Sequence, residues 1–100
     1  MFEPIDVPIV NVQETFTQDP HFGETRVDTY HLSHDRVYIN VNHIVSIRDS
    51  QVSDAWYQVG IEDRCTIELT DGRAIDMDMS AHQLVRNLSS RNALKRVHTL

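Results

Sequence analysis

Alternation of apolar and polar residues is the strongest pattern in this sequence, and it predicts strands rather than helices. Over Val37 to Ile47 most of the apolar side chains recur at every second position, as in a strand that buries one face. Ile44 falls on the other parity and Val41 lies between two asparagines, which predicts a bend or bulge near residues 40–43. The alternation from Val10 to Phe16 predicts a further strand, at a sheet edge.

Breaks in this alternation predict the turns between the strands. A turn is expected from Gln18 to Glu24, where Pro20 and Gly23 favour reversal of the chain. A strand from Thr25 to Leu32 follows, and the polar run Ser33–Arg36 is expected to end it as a loop.

The sequence CTIELTDGRAIDM, Cys65 to Met77, predicts a hairpin whose register depends on the length of its loop. A two-residue loop would place Ile67 opposite Asp76. A three-residue loop ending at Gly72 places Ile67 opposite Ile75 and gives the glycine the left-handed conformation that such loops require. The second register pairs apolar with apolar residues, and we therefore expect it.

One helix is predicted directly after this hairpin. Ser80 is a suitable N-cap, and Gln83 three residues later completes a capping box. The residues that follow form one apolar stripe at helical spacing, namely Ala81, Leu84, Val85 and Leu88. Ser89 and Ser90 interrupt the stripe, so the remaining tail is expected to be either helical or extended.

Together these elements predict an α+β fold: a small twisted antiparallel sheet or partly open barrel with one C-terminal helix. Residues 1–100 are expected to form a single domain, with an extended N-terminal arm at 1–8, a β-rich body at 9–79, and the helix and basic tail at 80–100. The helix stripe is expected to pack on one sheet face, made of Val37, Ile39, Val41, Ile67, Leu69, Ile75 and Met77.

Composition supports the β-rich interpretation and indicates the cellular compartment in which the protein is expected. The chain has 11 valines and 8 isoleucines against 6 leucines and 4 alanines, and branching at Cβ favours strands. Its single cysteine, Cys65, excludes an intrachain disulfide and is expected in the core. Neither a signal peptide nor an apolar run of membrane-spanning length is present, so we expect a cytoplasmic protein without membrane contact.

The charges are distributed unevenly along the chain. The net charge is −6, yet residues 79–100 contain no acidic residue and four basic ones, Arg86, Arg91, Lys95 and Arg96. Such a tail suits contact with phosphates or with an acidic protein surface, or an intramolecular role on the acidic body. The negative net charge disfavours a nucleic-acid partner, because it repels a polyanion over long range.

The side chains that could act in catalysis or bind a metal do not form a recognisable catalytic or metal-binding pattern. His31 and His34 have the spacing of a ligand pair but lack matching cysteines or carboxylates. Ser33-His34-Asp35 contains the residue types of a triad, but adjacent side chains diverge where a triad must converge. Asp76 and Asp78 are interpreted as the solvated side of the hairpin. We therefore expect neither an enzyme nor a metal or other cofactor.

Trp56 and Tyr57 are the most conspicuous candidates for partner contact. Residues 48–55 are expected to form a loop, and residues 56–64 a short strand broken at Gly60. Adjacent residues of a strand point to opposite faces, so both rings cannot lie in the core. One ring is therefore expected either to contact a partner or to cover the sheet surface.

The run VYINVNHIVSI, the hairpin CTIELTDGRAIDM and the capped helix after it resemble the small FlbD/SwrD-type proteins of flagellar and swarming systems. Similar patterns are typical of short bacterial and phage β-rich proteins. The resemblance implies a small non-enzymatic protein that works by contact. We therefore expect an interaction or assembly module, a homo-oligomer or a binder of another protein, with a phage-encoded accessory or virion-assembly protein as a natural setting. In that setting the virion is the alternative location.

Overall fold

A computed structural model describes residues 2–90 of the chain and the backbone of residues 98–99. The chain is mostly strand, with two sheets and two helices among the described residues. In chain order the elements are β1 (Phe2–Asp19), β2 (Gly23–Asn40), a 3-10 turn (Val41–His43), β3 (Ile44–Asp49), α1 (Asp54–Gln58), β4 (Cys65–Leu69), β5 (Ala74–Met77), α2 (Ala81–Ser89) and β6 (His98–Thr99).

The two longest strands, β1 and β2, pair only with each other and form an antiparallel ribbon. Their register runs without a shift from Phe2 opposite Asn40 to Asp19 opposite Gly23. Eighteen residues at about 3.3 Å each span roughly 59 Å. The longest dimension of the molecule is 61 Å against 24 and 20 Å for the others, so the ribbon determines the overall shape.

A tight loop at residues 20–22 joins the two strands, within the turn expected from Gln18 to Glu24 but shorter than it. The Asp19 carboxylate accepts hydrogen bonds from the backbone N–H groups of His21, at 2.8 Å, and Phe22, at 3.3 Å. Gly23 re-enters the ladder with φ +81°, a conformation that L-residues rarely adopt. The loop therefore holds Phe22 at the far end of the ribbon, where 86% of the side chain is exposed.

The second sheet has the order β5-β4-β3-β6 and contains the hairpin. Ile67 lies opposite Ile75 and Cys65 opposite Met77, so the predicted three-residue register is confirmed. Gly72 has φ +87°, as that loop requires. On the other side β4 pairs antiparallel with β3, and β6 pairs parallel with β3.

The core lies between this sheet, α2 and the first part of the ribbon. Its fully buried centre includes Ile47, Ile67, Met77 and Leu88. The helix stripe and all the residues expected beneath it belong to the same apolar cluster, but they come from both sheets and the 3-10 turn and do not form a single sheet face. Ile5 and Ile39, from the paired strands of the ribbon, complete the cluster.

Two side chains cap the N-terminus of α2. The Ser80 hydroxyl accepts a hydrogen bond from the Gln83 N–H at 3.1 Å, which confirms the predicted N-cap. The carboxylate of Asp49, at the end of β3, accepts a hydrogen bond from the Ala81 N–H at 2.8 Å. Since a helix N-terminus attracts negative charge, this second cap also fastens the helix to the sheet.

The coarse α+β class is confirmed, but several expected boundaries are wrong. Ser33–Arg36 is not a loop, because β2 continues through it to Asn40. A two-stranded ribbon exposes both of its faces, so polar residues do not interrupt it. The run Val37–Ile47 is divided by the 3-10 turn into the end of β2 and the start of β3, at the predicted bend. Neither sheet closes into a barrel within the described part of the chain.

The segment expected to be an N-terminal arm is part of the fold. Residues 2–8 pair with residues 34–40, and Ile5 and Pro8 are buried. The prolines favoured an extended path, as interpreted from the sequence, but that path lies along β2 of the same chain.

The strand expected at residues 56–64 is instead the short helix α1 followed by an irregular segment. The Ser53 side chain accepts a hydrogen bond from the Trp56 N–H at 3.4 Å, and Asp54 occupies the first turn. Gly60, with φ +85°, lies just after the helix end, where a left-handed residue is common. The serine–aspartate start was the signal of a helix that the strand interpretation overlooked.

Candidate interaction surface

The apolar side chains of the ribbon change face partway along it. Near the body, Ile5, Val7, Val37 and Ile39 all belong to the apolar cluster or pack against it, and they occupy odd-numbered positions of the ladder. Farther out, Val27 keeps the odd parity and is 42% exposed, but five apolar residues occupy even-numbered positions instead. They are Val10, Val12, Phe16, Tyr30 and Leu32.

Residues 9–33, the part of the ribbon beyond this change, are called the distal ribbon. Residues of one parity share a face of a ladder, and the ladder has no register shift. The apolar face of the distal ribbon is therefore not a continuation of the face that the core covers. Three of its side chains are exposed, 60% for Phe16, 46% for Val12 and 40% for Leu32, whereas Val10 and Tyr30 are half-buried.

Charged residues on the same face are concentrated in one cluster. Arg26 forms ion pairs with Glu14 across the ladder and with Asp28 on its own strand. The three side chains therefore neutralise part of one another's charge. Exposed ion pairs of this kind contribute little to stability. The cluster mainly affects which partner surface can bind to this face of the ribbon.

The outer edge of β1 differs along its length because of its prolines. Pro4 and Pro8 lack an N–H group, yet the β1–β2 ladder remains in register at both. Both prolines must therefore occupy positions whose N–H would point away from β2. By the same alternation the N–H groups of Val10, Val12, Glu14 and Phe16 point outward.

The body covers the outer edge only near the base of the ribbon. Pro8 is buried, and together with Val7 it lines a cavity of about 360 Å³ whose wall also includes Trp56 and Ile75. From Asn11 to Gln18 every residue of β1 is exposed. The available edge thus begins where the covering by α1 and β5 ends.

A polar contact and a groove mark the junction of ribbon and body. His34 Nε2 lies 2.9 Å from Asp78 Oδ2, which joins β2 to the segment between β5 and α2. Beside it is a groove of about 520 Å³, whose apolar lining includes Ile5, Met77, Met79, Leu84 and Leu88.

The residues expected to contact partners do not form one surface. Trp56 is half-buried on α1, with the Arg64 guanidinium 5.0 Å from its ring centre, whereas Tyr57 beside it is 57% exposed. Arg86 is exposed on α2. The other three basic residues of the tail, Arg91, Lys95 and Arg96, lie outside the described residues.

The carboxylates of the β4–β5 hairpin have structural partners rather than forming a paired site. Asp76 accepts hydrogen bonds from Arg64, at 2.6 Å, and from the Thr66 hydroxyl, at 2.9 Å. Glu68 accepts one from the Ser46 hydroxyl at 3.0 Å. The interpretation of this side as solvated is only partly right, because Ser46 and Thr66 between the carboxylates are buried.

Cys65 lies in the core, as predicted, and is not an activated thiol. It has no solvent exposure, and burial raises the pKa of its thiol to about 12, with Asp49 and Asp76 adding to the rise. Since the thiolate is the nucleophilic form, the folded protein keeps this cysteine unreactive. Among residues 2–90, no group of three or more histidine, cysteine, aspartate or glutamate residues is arranged to hold a metal ion.

The distal ribbon is the surface that reasoning from the sequence did not identify. Its signal was present in IDVPIVNVQETF, where apolar residues shift from Ile5, Val7 and Ile9 to Val10 and Val12. The alternation of the second set predicts only an edge strand, whereas its parity, opposite to that of the first set, indicates the second apolar face.

Comparison with known proteins found no relative of this chain. No protein-family model, no curated protein and no solved structure matches the chain. No helix in the described part of the chain is both long and apolar enough to cross a membrane.

Proposed function

We propose that the protein is a non-enzymatic assembly module that acts by protein–protein contact through the distal ribbon. The observation that carries the proposal is the apolar face of Val10, Val12, Phe16, Tyr30 and Leu32, which points away from the core cluster. These apolar side chains share one face, on which the Glu14–Asp28 row separates Phe16 from the other four. Exposed apolar side chains grouped on one face of a small protein are typical of interaction surfaces.

The length of the ribbon supports the same conclusion. A two-stranded hairpin without a packed face is only marginally stable in water, and three or more strands or a packed helix are needed to stabilise it. The apolar face of the distal ribbon has no such cover within the described residues, although the ribbon's base does. Contact with a partner would supply the missing layer.

A protein partner fits the charge of this surface better than a nucleic acid does. Residues 9–33 contain four acidic residues, Glu14, Asp19, Glu24 and Asp28, and one basic residue, Arg26. A net charge of −3 on a projecting element repels a polyanion. The proposal holds equally for a bacterial setting and for a phage-encoded accessory or virion-assembly protein.

The side chains that otherwise suggest chemistry have structural roles. His34 contacts Asp78, Asp76 binds Arg64, and Cys65 is buried as the neutral thiol. These contacts support an activity located on a surface rather than in a catalytic cavity.

The test is the solution mass of the full chain beside a shortened variant. Light scattering after size-exclusion chromatography, at low and high salt, gives the mass of each. In the variant, a short Asp-Gly turn replaces residues 10–32 and joins Ile9 to Ser33, which keeps the buried base of the ribbon. We expect a discrete oligomer for the full chain and a folded monomer of the variant. A monomeric full chain, or an unchanged oligomer of the variant, would contradict the proposal.

A further inference from the structure

The two outer edges of the distal ribbon differ in how well they are protected. Strand edges in natural proteins are usually protected from further pairing by charges and prolines. On β2, residues 24–33 include three charged residues, Glu24, Arg26 and Asp28. On β1, residues 9–18, with the sequence IVNVQETFTQ, include only Glu14. The β1 edge is therefore the one that remains open to another strand.

Prolines limit the part of this edge that can pair. At Pro8 the outward N–H is missing and the residue is buried, so a strand cannot be added there. At the other end Pro20 lies in the loop. Between them, five residues with outward N–H and C=O groups are available, namely Val10, Val12, Glu14, Phe16 and Gln18.

We propose that two copies of the chain pair antiparallel along the β1 edge, about a two-fold axis at Gln13. This inference rests on the proposed function and names its partner as a second copy. The pairing sets Val12 opposite the partner's Glu14 and Val10 opposite the partner's Phe16. It joins the two ribbons into one four-stranded sheet, in which Val10, Val12, Glu14 and Phe16 of each copy form about eight backbone hydrogen bonds across the axis.

Neighbouring registers are less favourable for identifiable reasons. An axis at Glu14 places that carboxylate directly opposite its own copy, which is destabilising. An axis at Val12 sets Phe16 opposite the partner's Pro8, which cannot donate a hydrogen bond. The Gln13 axis separates the two glutamates and moves the partner's Pro8 to the end of the ladder, opposite Gln18. It also leaves Glu14 in its ion pair with Arg26.

Stacking of two ribbons face to face is the main competing arrangement for a second copy. The apolar face, from Val10 to Phe16, measures about 23 by 10 Å, roughly 230 Å², which is less than half of the ~800 Å² per partner in a stable interface. Edge pairing instead gains directional hydrogen bonds and combines both apolar faces on one side of the larger sheet.

The combined sheet follows the rule that a hairpin becomes stable when further strands share its apolar face. In it, Val10 of each copy lies beside the partner's Phe16, an aromatic and β-branched pair of the kind that stabilises antiparallel sheets. Because hydrogen bonds and apolar contacts dominate, the pairing should be insensitive to salt.

Cysteine cross-linking tests the register directly. Gln13 is exposed, and the native Cys65 is buried, so background reaction is low. Odd-numbered residues form the non-hydrogen-bonded pairs across the proposed axis, where Cα atoms lie about 4.5 Å apart, within disulfide range. We expect Gln13→Cys to form a covalent dimer nearly completely under mild oxidation, as seen on a non-reducing gel.

Two single variants provide matched controls. Asn11 lies opposite the partner's Thr15, so the two copies of Asn11→Cys, or of Thr15→Cys, are about 13 Å apart and do not form a disulfide. When the two variants are mixed and allowed to exchange, they should cross-link with each other. Equal cross-linking of all three single variants, or none of Gln13→Cys, would overturn the proposed pairing.

Light scattering of the same samples before oxidation separates failure of this inference from failure of the proposed function. An oligomer in which Gln13→Cys does not cross-link contradicts the β1 pairing and leaves contact through the distal ribbon intact. A monomer whose copies do not cross-link contradicts both.

Discussion

Val12 lies directly opposite Tyr30 in the β1–β2 ladder, on the face that the core does not cover. Only a few residues nearer the body, Ile5 lies opposite Val37 on the other face, and Ile5 is buried there. The same unbroken ladder thus presents apolar pairs first to its own core and then away from it. This change of face is the reason for proposing that the distal ribbon contacts a partner.

Two phenylalanines test whether self-association depends on a side chain's position on the apolar face or only on its exposure. Phe16 lies on that face, whereas Phe22 lies in the loop and is even more exposed, 86% against 60%. We expect Phe16→Ser to weaken self-association at least tenfold, because it removes the cross-strand contact with the partner's Val10. Phe22→Ser is the matched control and should leave the dissociation constant within about twofold. Sedimentation equilibrium of both variants measures this, and equal losses would show that general apolar exposure drives association.

Ile5 tests whether the first residues belong to the fold. Its side chain is buried in the core cluster although it lies on β1. Ile5→Ala should lower the free energy of unfolding by about 2–5 kcal/mol, the usual cost of truncating a large buried aliphatic side chain. Denaturant unfolding followed by circular dichroism gives the value, with exposed Val12→Ala as the comparison at less than about 1 kcal/mol. A small effect at Ile5 would restore the interpretation of residues 1–8 as an independent arm.

Cys65 gives the protein a specific sensitivity to alkaline pH. Between the ordinary thiol pKa of 9.0 and the raised value of about 12, the unfolded chain loses the thiol proton while the folded chain retains it. The unfolded state is thereby favoured, and the free energy of unfolding falls as pH rises through this window, by up to about 1.4 kcal/mol per pH unit.

The measurement is the difference in pH dependence between the wild type and Cys65→Ala. Tyrosine and lysine titrations are common to both chains, so they cancel in that difference. We expect the wild type to lose stability more steeply than the variant above about pH 9. Parallel curves would show that the thiol is not held neutral by burial.

Local chemistry made the C-terminal half of the fold predictable. The register of the β4–β5 hairpin followed from matching Ile67 with Ile75 and from the left-handed Gly72. The start of α2 followed from Ser80, whose hydroxyl makes the expected hydrogen bond. In each case residues close in sequence determine the geometry.

In the rest of the chain, the geometry is determined by contacts between residues distant in sequence, or by which faces of a strand are exposed. Asp49 caps α2 from a strand more than thirty residues earlier, which no local pattern indicates. The polar run Ser33–Arg36 suggested a loop because we assumed one buried face, but β2 there pairs within a ribbon exposed on both sides. The basic residues of the tail were predicted to be a site from their charge alone. Arg86 is the only one of them within the described residues.

The most direct test of contact through the β1 edge changes one outward N–H group. Val12→Pro removes an N–H that points away from β2, as Pro4 and Pro8 do, and therefore costs no hydrogen bond within the ribbon. Val12→Thr is the matched control, because it keeps both the N–H and the branching at Cβ.

Light scattering should give the wild type and Val12→Thr a mass of at least twice the 11.6 kDa of one chain, at low and at high salt. Val12→Pro should have the mass of one chain and an unchanged circular dichroism spectrum. A wild type with the mass of a single chain, or a Val12→Pro variant that assembles as the wild type does, would contradict the account.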